Sequence, residues 1–84
     1  MATDAAPVDR YLLGRETGLA GFPDVAVRQL AGIPMTDEQC LIAADYLDGV
    51  VQGTIAAAPM TDSQTAFAIG VREGLLERVA NREG

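Results

Sequence analysis

The stretch Pro34-Met35-Thr36-Asp37-Glu38-Gln39 recurs, 25 residues later, as Pro59-Met60-Thr61-Asp62-Ser63-Gln64. Each copy reads as the start of a helix. A Thr at the N-cap can accept from the amide three residues on, and a Gln there can return to the N-cap amide. Asp37, Glu38 and Asp62 put negative charge on the first turn, where the helix dipole favours it. Met35 stands where it can staple onto Cys40, and Pro34 and Pro59 stop whatever precedes. Capping accounts for the whole motif, so it is not read as a recognition sequence. Weaker correspondence continues through Ala43/Ala68 and Gly49/Gly74, and two copies are too few for a solenoid.

Working outward, the spacing predicts two long helices at about 36–56 and 61–81, joined near Ala56–Met60 and antiparallel. The first half predicts two shorter ones. Pro7 can open a helix over about 8–17, with 1–6 as a tail and Gly18 as its C′ residue; Pro23 and Asp24 can open another over about 23–31, closed by Gly32. No segment alternates with period two, so no strand is expected. The expected fold is a single all-α domain.

Composition narrows the function. The chain has 84 residues, twelve acids against six bases, a net charge of −6, and no His, Lys or Trp. Clustered positive charge for nucleic acid is missing. A single cysteine, Cys40, excludes an intrachain disulfide. The opening residues carry Asp4 and Asp9 and lack the order of a signal peptide. Asp45 and Asp48 interrupt the most apolar stretch, so no membrane span is expected, and the expected location is the cytoplasm, or a virion for a phage protein.

Catalytic chemistry finds no footing. Cys40 and Ser63 are the candidate nucleophiles, and there is no His to activate either. Cys40 falls on an apolar face and reads as a small buried hydrophobe. Metal binding would rest on Asp45 and Asp48 alone, without the Cys, His or calcium-loop patterns that hold an ion. No enzyme activity, metal or cofactor is expected.

Surface chemistry carries the functional expectation. On the third helix, Cys40, Ile42, Ala43, Tyr46, Leu47, Val50 and Val51 share one side. Asp37, Glu38, Asp45, Asp48 and Gln52 form an acidic stripe on the other, with no arginine between Gln29 and Val71. That stripe is either solvated or a docking face for a basic protein. On the last helix, Phe67, Ala68, Val71, Leu75, Leu76 and Val79 form the apolar side. Arg72 interrupts it and is expected to snorkel to the rim.

Glycines recur four apart at Gly14/Gly18, Gly49/Gly53 and Gly70/Gly74. Glycine within a helix costs up to about 1 kcal/mol against alanine. Close helix approach is the expected compensation, with Gly49, Gly53, Gly70, Gly74, Tyr46, Phe67, Val71 and Leu75 as the packing or oligomer face. Apolar residues make up 49% of the chain, but many are alanine, so the core is thin and surplus apolar surface remains to be covered.

The sequence therefore points to a non-catalytic protein–protein interaction protein, bacterial or viral. The first form is a helical subunit of a homo-oligomer or phage-type particle. The alternative is an acidic antagonist of a basic protein, of antitoxin, anti-σ or counter-defence type.

Removing either capping hydroxyl, by Thr36→Ala or Thr61→Ala, is expected to cost about 0.5–2 kcal/mol. Denaturant midpoints that stay unchanged in both variants would show that the helices do not start there.

Overall fold

The computed structural model describes residues 7–55 and 59–83. Among these the fold is all-α: α1 Pro7–Leu19, α2 Val25–Ala31, α3 Asp37–Gln52 and α4 Asp62–Glu83. The tail 1–6 and the start of the expected 56–60 connection lie outside the described residues.

The repeated hexapeptide forms two reciprocal capping boxes. Thr36 N donates to Gln39 Oε1 at 2.9 Å and Gln39 N to Thr36 Oγ1 at 3.2 Å. The same pair of bonds at Thr61 and Gln64 measures 2.9 and 3.1 Å. Asp24 caps α2 by accepting from Val25 N at 2.7 Å, and Gly32 closes that helix in the left-handed region at φ 69°.

Two helix ends differ from the sequence reading. α1 runs through Gly18 and is closed by Gly21, at φ 92°. Gly21 N donates to Gly18 O at 2.9 Å and Phe22 N to Thr17 O at 3.1 Å, the paired bonds of a Schellman cap. α3 stops at Gln52 because Gly53 turns left-handed at φ 80° and donates back to the last turn.

α4 is the axis of the fold. α1 packs along one flank and runs parallel to it: Gly14 faces Phe67 and Val71, while Gly18 faces Val71, Gly74 and Leu75. α3 packs on another flank and runs antiparallel, with Asp48 near Arg72 and Asp37 near Arg82. The antiparallel pair of the last two helices expected from the sequence is present, and the more extensive of the two pairings is α1 with α4, which the sequence reading did not include. Cys40 and Ala44 of α3 meet Val71, Leu75 and Val79 of α4 to form the core, edged by Met35, Ala43, Leu47, Phe67 and Leu76.

The α1–α4 contact is backbone against backbone. A Cβ built on Gly14 or Gly18 would press on the carbonyl of Phe67 or Val71, and one on Gly70 or Gly74 on that of Tyr11 or Arg15, all under 3.0 Å. Four glycines thus form one reciprocal crossing. Helices this close gain dispersion and weak Cα–H···O contacts along their length. The crossing is clamped on its edge by Tyr11 Oη donating to Glu73 and by an ion pair between Arg15 and Glu77. At the C-terminal end of α1, Arg78 Nη1 donates to Leu19 O at 2.9 Å, tying that end to α4.

The remaining pair behaves otherwise. Gly53 has nothing within 4 Å of a built Cβ and serves as a cap, so it belongs to no packing face. At Gly49 the neighbours are side-chain atoms of Ile55 and Thr54, which belong to the chain's own return and not to another helix.

Adding a methyl group therefore has position-dependent consequences. Gly70→Ala and Gly74→Ala gain about 1 kcal/mol of helix propensity but must force two backbones apart, and are expected to lose about 1–3 kcal/mol or more net. Gly49→Ala needs only a side-chain adjustment by Ile55 and is expected to be close to neutral. Thermal melts of the three variants check this; equal melting temperatures would contradict the crossing.

Candidate functional site

α3 offers two faces, and the structure decides which one is buried. Cys40 and Ala44 point into the core with Leu47 and Ala43 beside them. Ile42 and Tyr46, which the sequence reading placed on the same apolar side, are 63% and 55% exposed. Tyr46 therefore lies outside the helix-packing face, and Leu41, at 47% exposed, joins it on the surface. The cause is the breadth of the apolar arc: the small side chains of Cys40 and Ala44 allow α4 to approach closely, and the larger ones rotate outward. On α4, Val71 and Leu75 are fully buried and Phe67 is half-buried against the core.

The acidic stripe is split by α4. Arg72 Nε lies 3.1 Å from Asp48 Oδ1, and Arg82 Nε lies 3.4 Å from Asp37 Oδ1. Arg72 was expected to snorkel; it is held in an ion pair within its own chain, because the antiparallel packing brings it opposite Asp48. Gln52 Nε2 donates to both oxygens of Asp48, at 3.1 and 3.0 Å, one helical turn away. Glu38 and Asp45 are exposed, and among the described residues neither forms an ion pair. The stripe is thus reduced to two free carboxylates, interleaved with Leu41, Ile42 and Tyr46.

Between α3 and α4 an open groove of about 220 Å³ is lined by Leu41, Ala44, Asp45, Asp48, Arg72 and Leu76. Sequence reasoning gave Leu41 no role, since it sits at the border between the two faces of α3. Leu30 in the last turn of α2 and Ile33 just after it are 89% and 78% exposed. Val8 and Leu12 are exposed on α1. Among the described residues more large apolar side chains stand at the surface than in the core.

No convergence of three metal-ligating side chains occurs among the described residues. Among the described residues no helix is long and apolar enough to cross a membrane. Neither a protein-family model, nor a curated protein, nor a solved structure matches the chain.

Two groups titrate away from their ordinary values. Burial raises the Cys40 thiol, and the hydrogen bond to Glu73 raises the Tyr11 phenol. In both, the folded state holds its proton more tightly than the unfolded chain does. Their contribution is complete below the unfolded values, about 8.5 and 10, and is lost as pH rises through the folded ones. Stability is therefore expected to decline above about pH 8.5, and native Cys40 to resist alkylation at pH 8 until denaturant exposes it. A thiol titrated at equal rates in native and denatured protein would contradict this.

Proposed function

We propose that the chain is a non-catalytic protein–protein interaction domain whose working surface is the outer face of α3. The observation that carries this reading is the exposure of Ile42 and Tyr46, one turn apart, and of Leu41, about 100° round the helix at the groove, with the free carboxylates Glu38 and Asp45 between them. Burying one large apolar side chain contributes about 1.5–3 kcal/mol, so covering several of them is a substantial driving force for association. Acidic groups beside them fit the antagonist form of the function, in which a basic protein is covered.

A second form, a subunit of a homo-oligomer or phage-type particle, is favoured by the exposure of Leu30 at the end of α2 and of Ile33 just beyond it. The glycine pattern no longer supports this form, because Gly14, Gly18, Gly70 and Gly74 are consumed by contact within one chain.

The two forms separate experimentally. In a pull-down from the native host, the wild-type chain is expected to retain a protein that the Leu41→Ser/Ile42→Ser variant loses at unchanged melting temperature. Retention by both would exclude α3 as the working surface. A mass by light scattering that grows with concentration, and is abolished by Leu30→Ser/Ile33→Ser, would instead establish the assembly form.

A further inference from the structure

We infer, resting on the interaction reading above, that the groove between α3 and α4 receives a helix of another protein that presents an apolar seam edged by arginine or lysine. The floor of the groove is Ala44, 2% exposed, whose small side chain leaves room for an incoming residue. Leu41 and Leu76 supply apolar walls. Two antiparallel helices form those walls, and a third helix laid along them buries its seam in the way helices pack into grooves.

Charge identifies the edge. Asp48 is already neutralised by Arg72 and held by Gln52. Asp45 stands on the same wall with no ion pair, and Glu38 lies about two turns before it. The groove is an apolar floor beside uncompensated negative charge, and cations on the occupant complete it.

A second copy of this chain is poorly equipped to supply them. Arg15, Arg28, Arg72 and Arg82 are engaged with Glu77, Glu16, Asp48 and Asp37, and Arg78 is bound to Leu19 O. Among the described residues only Arg10 is left unengaged. With a net charge of −6, two copies brought together at this groove oppose carboxylate to carboxylate. The same charge disfavours a nucleic acid or an anionic lipid surface and speeds encounter with a basic protein.

The test is selection of binders to the full chain from a display library of helical peptides with randomised faces. Enriched peptides are expected to pair an apolar seam with arginine or lysine. Their affinity should fall about tenfold on the Glu38→Gln/Asp45→Asn variant and about tenfold or more on Leu41→Ser. It should also weaken in 1 M NaCl, where the screening length is about 3 Å. Each variant is melted alongside and assayed well below its melting temperature, and Asp45→Asn alone, at an exposed position outside the first turn, must also weaken binding, so lost binding is separated from lost folding. Neutral or acidic binders, no enrichment, or equal affinity for the charge variant would overturn the inference. A host protein captured through Leu41 and Ile42 alongside such a result would leave the interaction reading standing and remove only the basic helix.

Discussion

Four glycines set the distance between α1 and α4, and the rest of the fold is arranged around that contact. Gly14 and Gly18 rest on α4 carbonyls while Gly70 and Gly74 rest on α1 carbonyls, so neither helix has side chains at the crossing to hold the other off. The helices forgo about 1 kcal/mol of intrinsic propensity at each site. In return the backbones lie in direct contact, and the polar clamps Tyr11–Glu73 and Arg15–Glu77 can span the seam. Because α1 runs parallel to α4, the chain must run back between them, and α3, antiparallel to α4, is that return. Gly21, α2 and Gly32 only turn the chain at one end, where Met35 N donates to Gly21 O at 2.9 Å.

Packing glycine against glycine excludes water with little apolar side-chain volume. The side-chain core is correspondingly narrow, centred on Cys40, Ala44, Val71, Leu75 and Val79 between α3 and α4, with Phe22 buried beyond the end of α1. Leucine, isoleucine and tyrosine that a deeper core would absorb are displaced to the surface at Leu30, Ile33, Leu41, Ile42 and Tyr46. A small helical domain held by a backbone crossing thus leaves its larger apolar groups outward, and under the proposed function that surplus is what a partner covers.

Electrostatics follows the same geometry. The arginines of α4 are spent on the flanking helices: Arg72 and Arg82 on α3, Arg78 on the end of α1. Each such exposed pair contributes at most about 1 kcal/mol to stability. Their larger effect is to decide which acids remain free, and those are Glu38 and Asp45 on the outer face of α3 rather than Asp37 and Asp48.

What the sequence determined by itself is local. The starts at Thr36 and Thr61 rest on bonds between residues three apart, and the Asp24 cap and the Gly32 stop involve immediate neighbours, so all were legible without knowing the fold. Two decisions belonged to the tertiary structure. Three glycine pairs share one spacing, yet only Gly14/Gly18 and Gly70/Gly74 meet, because which helices cross is a long-range outcome that spacing does not encode. The apolar arc of α3 is wide enough to bury either Cys40 and Ala44 or Ile42 and Tyr46, and close packing against Val71 and Leu75 selected the smaller pair. That choice also placed Leu41 and Asp45 on the wall of a groove, since a groove exists only where two helices stand side by side.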